Sequence, residues 1–227
     1  MIGIFPSARF ANRRDAGRQL AGRLRSYQGQ SDLLVLALPR GGVPVAYEVA
    51  RELDAPLEVF VVRKLGVPGH EELAMGAIAS GGVRVLHRPT ITELGIPASA
   101  VEQVMARETA ELNRRERVYR AGRPFPDITG RTVIVVDDGL ATGSTMAAAV
   151  AALRERHPRA IVVAVPVASR EAQAILARSA DACVAVETPE PFGGVGAWYR
   201  DFEQTSDEEV DRLLTEAHQE ATRAGPR

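Results

Sequence analysis

The sequence is poor in cysteine, aromatic residues and lysine, and each shortage narrows the class of protein. A single cysteine, Cys183, cannot form an internal disulfide, which excludes a disulfide-stapled scaffold and favours a reducing compartment. Aromatic residues make up 5% of the chain and the formal net charge is −1, so neither a base-stacking surface nor a basic footprint for nucleic acid is indicated. Lys64 is the one lysine among 28 basic residues, and a coding bias towards arginine does not explain why it remains.

Long hydrophobic runs are also missing. No stretch approaches the roughly 20 apolar residues of a membrane-spanning helix, and the N-terminal stretch MIGIFPSARFANRR contains no apolar region of signal-peptide length. We therefore expect a cytoplasmic protein without a membrane partner. With 227 residues, of which 45% are hydrophobic and 25% charged, the chain has the size and composition of one globular domain.

The sequence does contain a series of short aliphatic runs separated by helical patterns. The runs at 33–38, 57–62, 132–136, 160–165 and 182–186 are typical of strands that are buried on both faces. Strands that alternate with helices form right-handed βαβ units. We therefore predict an α/β fold with a mostly parallel, doubly wound sheet.

Capping patterns predict where several helices begin. An acid follows three residues after Asn12, Ser99 and Ser206, and further helices are predicted near Ser144 and Ser169.

The domain organisation is predicted to be simple. Residues 63–131 show little strand pattern beyond VRVL at 83–86, so we interpret them as a small lobe, a flexible-loop insertion in a single domain over 1–227. Residues 188–227 are interpreted as a C-terminal lobe element and helix.

Two adjacent aspartates, Asp137 and Asp138, follow the aliphatic run in VIVVDDGLATGSTM (133–146). A turn at Gly139 can direct both carboxylates towards one ligand, and carboxylates suit a diol or a divalent cation. The small residues that follow lead into a helix, where backbone N–H groups and the helix N-terminus favour a phosphate. The stretch therefore predicts a ribose 5-phosphate site. If Asp138 merely capped the next helix, only one of the two aspartates would be explained.

Three rival sites are disfavoured by specific residues. A nucleotide-triphosphate loop requires G-x-x-x-x-G-K-[ST], which the chain lacks, since Lys64 follows Arg63. The GGVG stretch at 193–196 lacks the third glycine and the strand-to-helix context of a dinucleotide fingerprint. The four histidines have no zinc-ligand spacing.

The stretch VIVVDDGLATGST resembles the phosphoribosyl diphosphate (PRPP) signature of the type I phosphoribosyltransferases. LPRGGVPVA (38–46) is similar to the family loop that receives pyrophosphate, in which the Arg40–Gly41 peptide is often cis. VVRKLGVPGHEELAMGA (61–77) lies where the family has its mobile catalytic loop. The resemblance covers roughly 10–202 and is closest to a stand-alone bacterial branch whose acceptor is not assigned.

The resemblance implies transfer of a 5-phosphoribosyl group from PRPP to a nitrogenous base, with Mg2+ as cofactor and release of pyrophosphate. The implied catalytic residues are Asp137, Asp138, Arg40, Lys64 and Arg63. The implied metal ligands are Asp137, Asp138 and Asp201. The implied PRPP-binding residues are Arg40, Gly41, Gly42, Asp137, Asp138, Gly139, Leu140, Ala141, Thr142, Gly143, Ser144 and Thr145.

The acceptor is less well defined by the sequence. Hypoxanthine-guanine members carry an aspartate at the position of Ala141, whereas GLATGST and RKLGVPG are similar to stretches of the adenine members, which weakly favours a purine-like base. Phe192 and Trp198 are candidate base-binding residues, with plain core packing as the alternative. A second function also stays open, namely a regulatory protein that binds PRPP or a nucleotide without turnover. The expected partners are small molecules, with a homodimer as one possible assembly.

Overall fold

The computed structural model describes residues 9–224. Residues 1–8 and 225–227 lie outside the described residues. The prediction that the N-terminal stretch contains no signal peptide falls partly on residues 1–8. The helices are α1 (Arg13–Arg23), α2 (Gly42–Leu53), α3 (Arg88–Glu93), α4 (Ala98–Arg120), α5 (Ser144–Arg154), α6 (Arg170–Leu176) and α7 (Asp207–Ala224). The strands are β1 (Leu33–Ala37), β2 (Leu57–Val59), β3 (Val62–Val67), β4 (His70–Ala79), β5 (Val83–Leu86), β6 (Thr132–Val136), β7 (Ala160–Val167) and β8 (Ala182–Glu187).

The main sheet has five parallel strands in the order β2-β1-β6-β7-β8, which confirms the predicted α/β class. Every residue of β1 and β6 is buried, as their unbroken aliphatic sequences predict. Successive side chains enter different cores: Val35 packs with the core that includes α2, whereas Leu36 packs with the core that includes α5. Helices therefore cover both faces of the sheet.

The strand order reverses between β1 and β6. The chain leaves β1 through α2 to the neighbouring strand β2, and it leaves β6 through α5 to β7 on the other side. Since β1 and β6 are paired in parallel as far as Ala37 and Val136, the loops that follow them start side by side and then diverge. Such a switch point is the usual ligand crevice of an open α/β sheet.

A second sheet was not predicted. Strands β3, β4 and β5 form an antiparallel sheet with β4 in the centre, so much of 63–86 is strand rather than loop. The predicted strand at 57–62 also proved too long, because β2 ends at Val59 and β3 begins the second sheet at Val62. The buried hydrophobic residues of β4 are Met75, Ala77, Ile78 and Ala79, and the alanines among them have weak strand preference and gave little signal.

Two of the three predicted capping patterns are confirmed. Asn12 Oδ1 accepts a hydrogen bond from Asp15 N at 2.9 Å, and Ser206 Oγ accepts one from Glu209 N at 3.1 Å. The prediction at Ser99 was wrong, because α4 begins at Ala98 with Pro97 in the capping position and no side-chain cap. Within residues 9–224, no helix combines the length and apolar character needed to cross a membrane.

Candidate active site at the switch point

The loops after β1 and β6 are in direct contact. A Cβ atom on Gly41 would overlap the carboxylate of Asp138, and one on Gly42 would lie 2.7 Å from Val136 O and 3.0 Å from Asp137 Cα. Glycine is therefore required at both positions for the loops to approach each other. A cis peptide joins Pro39 to Arg40, one residue earlier than the Arg40–Gly41 position that the resemblance implied.

Asp137 and Asp138 lie side by side in a partly buried position. Burial and then repulsion from Asp138 raise the pKa of Asp137 well above its ordinary value. Burial also raises the pKa of Asp138, and the nearby Arg13 guanidinium opposes that rise. Asp137 Oδ1 accepts a hydrogen bond from Asp138 N at 2.8 Å. Among residues 9–224, no hydrogen bond reaches Asp137 Oδ2 or Asp138 Oδ1, so each carboxylate keeps one oxygen for a ligand.

Arg13 is a residue of this site that the sequence did not reveal. Its Nε and Nη2 atoms both lie 2.9 Å from Asp138 Oδ2, and its Nη1 donates to Glu203 O at 2.6 Å. The two side chains are largely buried, with 12% and 17% of their surface exposed. No local pattern could have indicated this pair, because 125 residues separate the partners.

The segment from 139 to 145 forms a loop that ends at the N-terminus of α5. Leu140 N donates to Val167 O at 2.9 Å, and Ser169 N donates to Leu140 O at 2.9 Å, which fixes the base of the loop. The first backbone hydrogen bond of α5 is donated by Ala147 N to Gly143 O at 2.8 Å. The backbone amides of the residues just before Ala147 therefore have no acceptor within the helix. Such amides form a phosphate-binding geometry.

Gly143 has a structural reason to be glycine. Its φ of 72° is left-handed, and a Cβ would lie 3.1 Å from the Cβ of the buried Ala172. Substitution at this position would therefore strain the backbone and disturb the core, whatever its effect on a ligand.

The predicted cations do not all lie at the crevice. Arg40, in the loop after β1, has its Nη1 atom 3.6 Å from Asp207 Oδ1. Arg63 lies in β3 rather than in a loop, and its Nη2 lies 2.6 Å from Oε2 of the buried Glu108 on α4. Lys64 is half-buried in the same strand, where it pairs with Ala77 of β4. The expectation that Arg63 and Lys64 belong to a loop was wrong.

Trp198 is a packing residue in this structure. It is 7% exposed, it belongs to a small core with Phe10 and Tyr199, and its Nε1 donates to Phe192 O at 2.9 Å. This burial does not support a base-stacking role for its ring. Phe192 is half-buried beside that core, and its role in base binding stays a prediction.

The three predicted metal ligands do not form a cluster. Asp201 is exposed and its Oδ1 accepts a hydrogen bond from Glu203 N at 3.1 Å. In the part of the chain that the structure describes, no group of three or more His, Cys, Asp or Glu residues is arranged to hold a metal ion. The adjacent pair Asp137 and Asp138 is nevertheless compatible with Mg2+, which proteins often bind through one or two carboxylates together with substrate phosphates.

The phosphoribosyl transferase domain model matches residues 10–189, which include both loops of the crevice. The chain belongs to the phosphoribosyl transferase family. This membership confirms the resemblance that the acid pair and the loop behind it indicated.

Relatives support the same family and fold. The chain is 47% identical over 216 residues to provisionally named phosphoribosyl transferases of two Mycobacterium tuberculosis strains, in an alignment that covers 95% of this chain and 48% of theirs. The chain thus spans about half the length of these relatives. It is also 30% identical over 124 residues to the bifunctional protein PyrR of Streptomyces coelicolor, covering 52% of this chain and 63% of that protein.

One solved structure matches almost the whole chain. TT1426 from Thermus thermophilus has a TM-score of 0.84 and 45% sequence identity, and the match covers 92% of this chain and 98% of that chain.

Proposed function

We propose that this protein is a Mg2+-dependent phosphoribosyltransferase that transfers a 5-phosphoribosyl group between PRPP and a nitrogenous base, with a purine-like base favoured. The observation that carries the proposal is the contact between the two loops of the crevice, where Gly41 packs against the carboxylate of Asp138. This contact supports the proposal because it holds the loop after β1, to which we assign pyrophosphate binding, directly beside the acid pair. The proposal includes a cytoplasmic location and small-molecule partners, with homodimerisation as a possibility.

We assign each of the three parts of PRPP, namely the 5-phosphate, the ribose and the pyrophosphate, to protein groups that could bind it. The 5-phosphate would bind the amides and hydroxyls between Ala141 and Thr145, at the N-terminus of α5. The ribose hydroxyls would bind Asp137 Oδ2 and Asp138 Oδ1, the two carboxylate oxygens that other described residues leave available. The pyrophosphate would bind Arg40 and the amide of Gly41. The amide of Gly42, which the resemblance also implied, donates instead to Leu38 O at 3.1 Å.

The acid pair suits the proposed reaction. A nitrogen of the acceptor displaces pyrophosphate from C1 of the ribose, and positive charge develops on the sugar ring as the bond to the leaving group breaks. Carboxylates close to the ring would stabilise that charge, and Arg40 would stabilise the departing anion. Bound Mg2+ would supply further neutralisation of the pyrophosphate charge. Lys64 is proposed to assist the same leaving group.

The proposal is tested by calorimetry with PRPP and Mg2+, followed by an assay of pyrophosphate release over a panel of purines and pyrimidines. Thr145→Val removes one hydroxyl from the phosphate loop and should weaken PRPP binding by about 10-fold or more, the scale of a lost hydrogen bond to a charged group. Thr215→Val, at an exposed position of α7, is the matched control and should leave the affinity unchanged. Absence of PRPP binding by the wild-type protein would overturn the proposal.

The second candidate is a regulatory protein that binds PRPP or a nucleotide without turnover. One observation favours it: Arg40 Nη1 lies 3.6 Å from Asp207 Oδ1, so the cation that we propose for pyrophosphate is already paired with an acid of the chain. Tight PRPP binding without pyrophosphate release over the whole base panel would select this candidate. Release of pyrophosphate with any base would select the enzyme.

A further inference from the structure

Segments from the two ends of the chain converge on Asp138. Arg13, at the start of α1, binds the side chain through two contacts of 2.9 Å to Oδ2. Tyr199, near the C-terminal end of the main fold, donates its hydroxyl to the backbone carbonyl of Asp138 at 2.6 Å. Asp138 is therefore held through its side chain and its backbone by residues that lie far apart in the sequence.

The two holding segments also bind each other. Phe10 N donates to Trp198 O at 2.9 Å, and Arg200 N donates to Phe10 O at 2.9 Å. The Arg13 guanidinium lies 4.0 Å from the centroid of the Phe202 ring, a cation–π distance. We call Arg13, Tyr199 and Phe202 the Asp138 clasp.

The clasp determines which oxygen of Asp138 is available. Arg13 holds Oδ2 with two nitrogens of its guanidinium, Nε and Nη2, which fixes the position of that oxygen. Gly41 packs on the same carboxylate from the other loop, so the side chain has little freedom to rotate. Oδ1 is left for a ligand, at an orientation that the clasp defines.

We infer that Arg13 and Tyr199 are positioning residues for PRPP, acting through Asp138 rather than by contact with the reacting atoms. The inference rests on the proposed function, because it requires PRPP to bind Asp138. A hydroxyl of the ribose gains a strong hydrogen bond only if the carboxylate is already oriented, since orienting it during binding costs affinity.

The alternative is that the clasp has a purely structural role and only holds α1 and the 198–203 segment against the loop after β6. Contacts with a purely structural role would contribute to the free energy of unfolding without affecting PRPP affinity in the folded protein. The two possibilities therefore differ in binding, which can be measured without knowledge of the acceptor base.

The experiment is calorimetric titration with PRPP and Mg2+ of the wild-type protein and of folded variants, checked by circular dichroism. Arg13→Gln should weaken PRPP binding by about 10-fold, the scale of losing a charge-assisted hydrogen bond. Arg13→Lys should recover part of the loss, because an ammonium keeps the charge but not the fork. Arg18→Gln, with an exposed arginine of the same helix, is the control and should bind PRPP normally.

Tyr199→Phe removes only the hydroxyl and should weaken PRPP binding by about 3- to 10-fold. Its matched control is Tyr27→Phe, at a half-buried tyrosine of the short helical turn Arg25–Tyr27. If Arg13→Gln does not fold, the Arg13→Lys and Tyr199→Phe variants carry the test.

A double-mutant cycle with Asp138→Asn identifies the route of the effect. If Arg13 acts through Asp138, Arg13→Gln should cause little further loss of PRPP affinity once Asp138 has been replaced. Additive losses, or unchanged affinities in the folded Arg13 and Tyr199 variants, would overturn the inference and leave the proposed function standing. A wild-type protein that does not bind PRPP would overturn both.

Discussion

Arg40 Nη1 lies 3.6 Å from Asp207 Oδ1, so the loop after β1 is linked to the first turn of α7. The same oxygen accepts a hydrogen bond of 2.6 Å from the hydroxyl of Tyr119 on α4. Burial and this bond to Asp207 raise the pKa of Tyr119 to about 12, so the phenol stays protonated and keeps donating at neutral pH. A fixed negative charge therefore lies beside the arginine that we expect to bind pyrophosphate, and the two anions would compete for it.

Asp207→Asn should strengthen the binding of pyrophosphate. The amide oxygen can still accept from Tyr119, whereas the charge that competes for Arg40 is gone. We expect a gain of about 2- to 5-fold, the scale of a partly exposed ion pair, measured by calorimetry with Mg2+ and pyrophosphate. Asp211→Asn, one turn further along α7, is the control. Weaker pyrophosphate binding in the Asp207 variant would show that the acid supports Arg40 instead of competing with it.

Asp137→Asn should change stability in a pH-dependent way. The pKa of Asp137 is raised, chiefly by burial, so the folded protein binds this proton more tightly than the unfolded chain. Ionisation therefore destabilises the fold as the pH rises above about 4 towards the raised pKa, and the loss persists above it. Asparagine resembles the protonated acid and avoids that loss.

The measurement is the free energy of unfolding of wild type and Asp137→Asn by denaturant, without Mg2+ or substrate, between pH 4 and pH 7. The variant should gain stability relative to wild type as the pH rises. Its turnover, like that of Asp138→Asn, should fall by about 10²-fold or more, because an amide does not stabilise developing positive charge as a carboxylate does. A stability difference that is constant with pH would mean that the carboxyl is not perturbed in the folded protein.

Arg63→Gln should reduce stability. Glu108 is 9% exposed, and both Arg63 Nε and Nη2 contact its Oε2 atom, at 2.8 and 2.6 Å. Loss of the guanidinium leaves Oε2 of this largely buried carboxylate without its cation, while Arg107 Nε stays 3.1 Å from Oε1, so we expect a cost of about 1–3 kcal/mol. Denaturant unfolding should show this loss for Arg63→Gln and not for Arg84→Gln, at an exposed arginine of β5. An unchanged free energy of unfolding would refute the structural role of Arg63.

Lys64→Ala should lower kcat by about 10²-fold or more, the scale of losing one electrostatic donor to a leaving group. Lys64→Arg should recover only part of the loss, because a planar fork follows a departing pyrophosphate less easily than a compact ammonium. PRPP affinity should change less than kcat. Pyrophosphate release, measured once an acceptor is known, decides the matter: normal turnover in Lys64→Ala would place the residue outside the reaction.

The main sheet and the two loops could be predicted because each depends on a local pattern. Continuous aliphatic runs indicate strands buried on both faces, and the positions after 33–38 and 132–136 indicate the edge at which ligands bind. The contact between Gly41 and Asp138 follows from that topology, since parallel neighbours bring their following loops together.

The other half of the site depends on packing between distant residues. Arg13 is one arginine among many, and nothing in its neighbourhood marks it as the partner of Asp138. Trp198 was considered a base-binding residue because aromatic rings can stack on bases. In the structure it packs in a core with Phe10, and this contact could not be inferred because the two residues lie far apart in the sequence. The second sheet was missed for a different reason, because Ala77 and Ala79 fill strand positions that usually carry larger residues.

The hydrogen bonds between Phe10 and the backbone at 198–200 have a consequence for how this domain is delimited. The match to the family model ends at residue 189. A shortened protein cut at that point would retain strands β1 to β8 and both loops, yet it would lack Tyr199, Phe202 and the carbonyl of Glu203 that anchors Arg13. During synthesis, too, the Arg13 side chain gains the carbonyl that anchors it only after the ribosome has added Glu203. The unit that matches the family by sequence is therefore shorter than the unit that completes the site.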